Sequence, residues 1–207
     1  VEEVVAEEPA ETLDAPATTA AAAEPEADPA SICLVLDIGG LGDLSFNDLA
    51  YSGYEKAIAD FGMEGTFLEP DGGGENRGEL LELCAEAGND LSIGNGFLFD
   101  ASMNEVAPNY PDLNFAITDG VAEPANVRGM LFDHAEGSFL AGVAAALKST
   151  NNHVGFLGGV DFPLIHEFEQ GFIAGVQAIN PDIVIEIGYA SVAPDFSGFN
   201  DVVKGKE

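Results

Sequence analysis

Basic residues are scarce in this 207-residue chain, which has six Lys and Arg against 37 Asp and Glu and a net charge of −31. Such a chain repels polyanions, so nucleic acids and anionic membrane surfaces are poor partners. In molar salt the Debye length shrinks to about 3 Å, and the self-repulsion of the acidic surface largely disappears. The composition therefore favours a halophilic protein, with an ordinary acidic extracellular protein as the alternative.

Three further absences narrow the possible chemistry. The only cysteines, Cys33 in a predicted strand and Cys84 in a predicted helix, are expected to be small core residues rather than a disulfide or metal pair. The three histidines lie on different predicted elements, and no Gly-x-Ser-x-Gly motif occurs. The longest apolar run, 139–147, is too short to cross a bilayer. We predict no metal site, no cofactor and no nucleophilic catalysis.

The first thirty residues differ in composition from the rest. Residues 1–30 contain nine acidic residues and no basic one, with Ala, Pro and Thr as most of the remainder. Such a segment cannot bury enough apolar surface to form a core, so we predict a disordered acidic tether. Beyond it, strand and helix patterns alternate, which predicts an α/β fold with parallel sheets. The predicted strands are 32–37, 66–69, 91–94, 113–118, 127–132, 153–158 and 183–189, and the helices 45–61, 75–88, 100–110, 135–149 and 163–179.

The most informative segment is ICLVLDIGGLGDLSFN, at residues 32–47. An apolar strand ends in an acidic residue, a glycine loop follows, and a helix begins with a serine as its predicted N-cap. In open parallel sheets, ligands bind beyond the carboxyl ends of the strands, beside helix N-termini. The side chains expected there suit ligand hydroxyls, amines and a stacked ring, and they are Asp37, Asp43, Ser45, Phe46 and Asn47.

This segment resembles the basic membrane protein (BMP) family of ABC-transporter solute receptors, which includes purine nucleoside receptors. Further segments match the family in the same order: IGNGFLF at 93–99, FAITDG at 115–120, EGSFLAG at 136–142, and GFLGG at 155–159 followed by FEQGF at 168–172. The likeness covers residues 32–207. One departure is Leu44, which stands where the family often has lysine before Ser-Phe-Asn.

The resemblance implies a type I periplasmic-binding-protein fold, with two Rossmann-like lobes built on parallel sheets. The first lobe would span residues 31–132, and the second, 133–207, would be incomplete because chains of the family continue further. The resemblance also implies ligand contacts from Gly96, Phe97 and Asp119. The alternative for these polar and aromatic residues is a purely local role, as helix caps, solvated first-turn residues or core side chains.

The resemblance further implies that the protein is not an enzyme but an extracytoplasmic receptor. It would bind a purine nucleoside between its lobes and deliver it to the permease and ATPase subunits of an ABC importer. A lipid anchor missing from this chain would hold it at the extracellular face of the plasma membrane. Two alternatives are a ligand-sensing domain without transport and a dinucleotide-binding Rossmann-type enzyme, for which Gly40 and Gly42 approach the glycine fingerprint and Glu69 ends the second strand.

Two small-residue segments have structural interpretations. The glycine triplet within 71–75 lacks the Lys-Ser/Thr pair of a P-loop, so we predict a flexible surface loop. The small residues of 136–146 predict a helix that packs closely on its neighbours rather than a ligand site.

Overall fold

Two parallel sheets and five helices make up the computed structural model, which describes residues 28–206. The predicted tether, 1–30, lies outside the described residues except for its last three. The strands are β1 (Ser31–Val35), β2 (Glu64–Leu68), β3 (Leu91–Gly94), β4 (Asn114–Thr118), β5 (Val127–Met130), β6 (His153–Asp161) and β7 (Val184–Val192). The helices are α1 (Phe46–Phe61), α2 (Arg77–Glu86), α3 (Asp100–Val106), α4 (His134–Lys148) and α5 (Pro163–Ile179).

The first sheet has the strand order β2-β1-β3-β4-β5, and every neighbouring pair is parallel. The α/β prediction with parallel sheets is therefore confirmed. Each predicted strand and helix is present within a few residues of its predicted bounds. The largest difference is α3, which ends at Val106 and passes into a 3₁₀ turn containing Pro108. A proline has no N–H to donate, so the α-helical hydrogen bonding cannot continue through it.

The strand β1 is buried on both faces, and its side chains alternate between two core clusters. Cys33 and Val35 face the helix α2, while Ile32 and Leu34 face Tyr54 of α1. Cys33 forms a disulfide with Cys84 of α2, across a Cα–Cα distance of 5.7 Å. The prediction that both cysteines are only core residues is wrong, because the strand alternation directs Cys33 to the helix that carries Cys84.

The second sheet pairs β6 with β7 in parallel, and the helices α4 and α5 pack tightly against each other beside it. A Cβ atom on Gly142 would lie 2.1 Å from the carbonyl oxygen of Phe172, and one on Gly171 would lie 2.2 Å from that of Ala135. The two backbones therefore approach at a distance that only glycine allows. The interpretation of 136–146 as a closely packing helix is confirmed. No helix in the described part of the chain is long and apolar enough to cross a membrane.

Candidate ligand-binding site

A cavity of about 290 Å³ lies where the carboxyl ends of the first sheet face the second half of the chain. Its volume is close to the lower end of the range for small-molecule pockets, about 300–1,000 Å³. All eight residues predicted to contact a ligand line it, and contact itself stays a prediction. The full lining is Asp37, Ile38, Asp43, Ser45, Phe46, Asn47, Gly96, Phe97, Asp119, Leu164, Ile165, Phe168 and Phe199.

The carboxylate of Asp43 caps the helix α1. It accepts hydrogen bonds from the backbone N–H groups of Ser45 (2.9 Å), Asn47 (2.8 Å) and Asp48 (3.1 Å), and from the side-chain amide of Asn47 (3.1 Å). Burial acts to raise the pKa of Asp43, but these four hydrogen bonds outweigh it, so the pKa lies below its ordinary value. Both oxygens thus accept hydrogen bonds from the start of the helix, and contact of Asp43 with a ligand stays a prediction.

The sequence predicted that the Ser45 side chain caps the start of α1, and this prediction is wrong. Ser45 occupies the N-cap position, yet its side chain makes no capping hydrogen bond. Asp48 instead accepts from the backbone N–H groups of Gly42 (2.7 Å) and Leu44 (3.0 Å). Two crossing carboxylates therefore fix the loop, and the Ser45 hydroxyl remains available at the cavity.

The side chain of Asn47 is 1% exposed and fully hydrogen-bonded within the protein. Its oxygen accepts from the backbone N–H of Asp37 (2.9 Å) and the amide of Asn95 (3.2 Å). Its nitrogen donates to the carbonyl of Ile38 (3.1 Å) and to Asp43 (3.1 Å). An amide has two donor hydrogens and two acceptor positions, and all four are used here. These contacts join the ends of β1 and β3 to α1, and the donor and acceptor role of Asn47 toward a purine stays a prediction.

Only one of the two carboxylate oxygens of Asp37 accepts hydrogen bonds from residues 28–206. Its Oδ1 accepts from the backbone N–H of Ile38 (2.8 Å), from Nε of Arg77 (2.9 Å) and from Nη2 of the same arginine. Its Oδ2 faces the loop at Gly96, where an added Cβ would lie 2.8 Å from it. Gly96 also has a φ of +126°, a conformation that side chains strongly disfavour. Glycine at position 96 therefore lets the backbone lie against the Asp37 carboxylate.

Asp119 lies at the end of β4 in the left-handed region, with a φ of +56°. Its Oδ1 is buried without a hydrogen bond among the described residues, and the nearest basic group is Nε2 of His134, 3.3 Å away. Burial raises the pKa of Asp119, His134 opposes that rise, and Glu167 adds to it. An unpaired buried oxygen in a strained conformation is typical of functional sites.

The aromatic residues of the site come from both halves of the chain. Phe97 stacks on Phe162 with a centroid separation of 4.9 Å, and the rings of Phe196 and Phe199 contact its edges. The predicted face of Phe97 is therefore partly covered by protein. Phe46 also lines the cavity, and its ring makes no contact with another aromatic ring in the described part of the chain.

Phe168 of α5 is held from two directions by α4. The imidazole of His134 stacks on its ring at a centroid distance of 4.5 Å, and the hydroxyl of Ser138 donates to its carbonyl oxygen over 2.5 Å. His134 thus contacts both Asp119 and Phe168, which line the cavity from the first and second halves of the chain. Sequence reasoning missed Arg77, His134 and the second-half lining residues, although FEQGF, which contains Phe168, was recognised as a motif.

The same geometry argues against a dinucleotide site. A pyrophosphate would bind the free N–H groups at the start of α1, but Asp43 already occupies them. Glu69, the expected ribose ligand, accepts instead from the backbone N–H of Leu41 at 2.7 Å. Among residues 28–206, no group of three or more His, Cys, Asp or Glu side chains is arranged to hold a metal ion.

A model of the PnrA-like ABC transporter substrate-binding proteins, the Bmp family, matches residues 31–202. The chain belongs to this family. The nucleoside-binding protein BmpA of Lactococcus lactis is 32% identical over 84% of this chain and 49% of its own length. An uncharacterised lipoprotein of Pyrococcus abyssi is 34% identical over 73% of this chain and 39% of its own.

Solved structures agree with the family assignment. A solute-binding protein of an ABC transporter system from Aeropyrum pernix superimposes with a TM-score of 0.68 at 29% identity, covering 79% of this chain and 47% of the other. The fold is that of type I periplasmic binding proteins, as the resemblance implied. This Bmp-family chain spans about half the length, or less, of the relatives named here.

Proposed function

We propose that the protein is the solute-binding receptor of an ABC importer and that its cavity binds a purine nucleoside. The observation that carries this proposal is the composition of the cavity wall. Asp37 and Asp119 have unused acceptor oxygens, Ser45 has a free hydroxyl, and Phe46 and Phe168 bring aromatic rings from the two halves of the chain. Family membership and the nucleoside-binding name of the Lactococcus relative support the same ligand.

The polar groups select a ligand that donates hydrogen bonds. An ionised carboxylate accepts but cannot donate, so Asp37 and Asp119 suit ribose hydroxyls and the N–H groups of a purine. None of the lining residues is Lys or Arg. A phosphate group would therefore meet carboxylates with no Lys or Arg in the cavity wall to bind it. The ligand is a neutral nucleoside rather than a nucleotide.

The aromatic rings suit a planar base. Stacking of a base on an aromatic side chain contributes about 1–3 kcal/mol. Phe46 is 38% exposed beside the carboxylates, so the two kinds of contact lie within reach of one small molecule. The two predicted lobes, 31–132 and 133–207, would then close on the nucleoside from opposite sides.

The predicted location is also a proposal. The disulfide between Cys33 and Cys84 fits an oxidising, extracytoplasmic compartment. The Pyrococcus relative is named as a lipoprotein, and we propose that a lipid anchor holds this protein at the outer face of the plasma membrane. There the permease and ATPase subunits would be its partners. Stimulation of their ATP hydrolysis by the loaded receptor would distinguish an importer component from a sensor without transport.

Calorimetry on the full-length gene product in molar salt tests the ligand. Inosine, guanosine or adenosine should bind at least about tenfold more tightly than the matching 5′-monophosphates, a difference of about 1.4 kcal/mol. Equal or tighter binding of the monophosphates would refute the neutral-ligand argument, and absence of binding by every nucleoside would refute the proposed function.

A pair of phenylalanine variants tests the stacking contact. Phe46→Leu should weaken nucleoside binding by about 1–3 kcal/mol. Phe61→Leu, at the other end of α1 and 78% exposed, is the matched control and should bind like the wild type. Equal affinities for all three proteins would place the base elsewhere.

A further inference from the structure

We propose that Arg77 is a positioning residue that sets the ligand specificity of the site by fixing the Asp37 carboxylate. This inference rests on the proposed function. Arg77 is one of only two arginines in the chain, and it follows the glycine triplet that the sequence indicated to be a flexible surface loop. The end of that loop is instead tied to the cavity by this single side chain.

Arg77 does not line the cavity, and three of its five N–H donors are already bound within the protein. Its Nε and Nη2 both donate to Oδ1 of Asp37, and its Nη1 donates to the carbonyl oxygen of Gly74 over 2.7 Å. Its guanidinium lies 5.6 Å from the ring centroid of Phe99, a side chain with no exposed surface. The guanidinium of Arg77 is thus held by the Asp37 carboxylate, the Gly74 carbonyl and the ring of Phe99.

These contacts determine what Asp37 can offer a ligand. Three donors converge on Oδ1, one from Ile38 and two from Arg77, so Oδ2 is left as the acceptor beside Gly96. A carboxylate held in one rotamer accepts in one direction, whereas a free one can rotate to meet donors in several. Arg77 therefore makes Asp37 discriminate between ligands that place a donor at Oδ2 and those that do not.

Burial makes this arrangement suitable for high salt. The side chains of Arg77 and Asp37 are only 12% and 10% exposed, so solvent ions screen their pairing much less than they screen surface pairs. A surface pair at the same place would lose most of its attraction in brine, and lysine lacks the planar pair of N–H donors that converges on Oδ1 here. The scarcity of basic residues elsewhere and the presence of one here are consistent with a site-specific role.

The test compares nucleoside affinities of variants of the full-length gene product by calorimetry in molar salt. Arg77→Met should bind inosine about tenfold or more weakly, because it frees Asp37, and Arg77→Lys should recover part of the loss. Arg128→Met is the matched control, since the other arginine is exposed on β5, and it should bind like the wild type.

A specificity readout separates positioning from a general loss of structure. The analogues 2′-, 3′- and 5′-deoxyinosine and 1-methylinosine each lack one hydrogen-bond donor of inosine. The wild type should bind the analogue that lacks the donor to Asp37 more weakly than inosine. In Asp37→Asn this difference in affinity should disappear, which identifies the donor. Arg77→Met should reduce discrimination against the same analogue and leave discrimination against the others unchanged. In the Asp37→Asn background, Arg77→Met should cost little further affinity.

Three outcomes would overturn the inference while leaving the proposed function intact. They are wild-type affinity in Arg77→Met, loss of affinity spread equally over all analogues, and full additivity of the two substitutions. Failure of the wild type to bind any nucleoside would instead refute the proposed function itself. A Tm measured for each variant shows whether the protein is folded, and the analogue ratios remain valid for a destabilised but folded variant.

Discussion

Replacing Asp119 with Asn should weaken ligand binding while raising the stability of the protein. Oδ1 of Asp119 is buried without a hydrogen bond in the described part of the chain, and the residue has a φ of +56°. Asn removes the charge that must be desolvated, and like Asp it tolerates the left-handed conformation. The cost of burying a charge in the unliganded site is therefore removed, while the acceptor available to the ligand is weakened.

The expected magnitudes follow from these contacts. A hydrogen bond to a charged group contributes about 1.5–3 kcal/mol, so affinity for the nucleoside should fall by roughly 10- to 150-fold. An unsatisfied buried group costs about 1–3 kcal/mol, and His134 at 3.3 Å offsets part of that cost. The free energy of unfolding of Asp119→Asn should therefore rise by about 1 kcal/mol at pH 7.

The gain in stability should depend on pH in a defined direction. Burial raises the pKa of Asp119, so the folded protein binds this proton more readily than the unfolded chain does. The carboxyl therefore destabilises the fold progressively as pH rises from its ordinary pKa of 3.8 through the raised value. The difference in Tm between Asp119→Asn and the wild type should grow over that window and then level off.

Thermal unfolding and calorimetry on the same samples decide the outcome. Asp112→Asn, an exposed carboxylate just before β4, is the matched control and should change neither quantity. If Asp119→Asn lowers Tm and leaves affinity intact, then Asp119 serves the fold through His134 and the assignment to the ligand is refuted.

Two further outcomes are expected. Circular dichroism should show that the folded part loosens when salt is diluted from molar to about 0.1 M, where the Debye length is about 10 Å, and equal stability at both concentrations would remove the halophile interpretation. The double variant Cys33→Ala/Cys84→Ala should unfold at a lower denaturant concentration, because the disulfide closes a long loop between β1 and α2. The free energy of unfolding should fall by about 2–5 kcal/mol. A Leu80→Ala variant in the same core controls for lost packing, and an unchanged midpoint of the double variant would contradict the prediction.

The order of strands and helices could be predicted because hydrophobic periodicity and turn residues are local signals. The cavity lining of the first sheet was also accessible, since Asp37, Gly96 and Asp119 all follow strands that run in parallel. What the sequence could not provide was the partner of each polar group. Asp43 rather than Ser45 caps α1, and nothing in the spacing of the two residues distinguishes those arrangements.

The other features that the sequence analysis did not predict depend on contacts between residues far apart in the chain. Arg77 lies 40 residues from Asp37, and the Cys33–Cys84 disulfide spans 51 residues. Both contacts result from the position of α2 against β1, which is set by packing and not by any motif. The sequence analysis considered the histidines only as metal ligands, and it overlooked that His134 follows the helix-capping Asp133 and so begins α4 beside the cavity.

The distribution of hydrogen bonds in the site has a consequence for how a strongly acidic receptor recognises its ligand. Salt screens the surface charges, so long-range attraction cannot guide the choice of solute. Discrimination then depends on the few acceptors that are desolvated, and most candidate groups, such as Asn47 and Asp43, are already committed to the protein. Asp37 and Asp119 remain, each beside one basic side chain: Arg77 holds the Asp37 carboxylate in place, and His134 opposes the rise in the pKa of Asp119. Under the proposed function, a neutral molecule with donors at two defined positions would satisfy both, whereas an anionic group placed beside either carboxylate would be repelled.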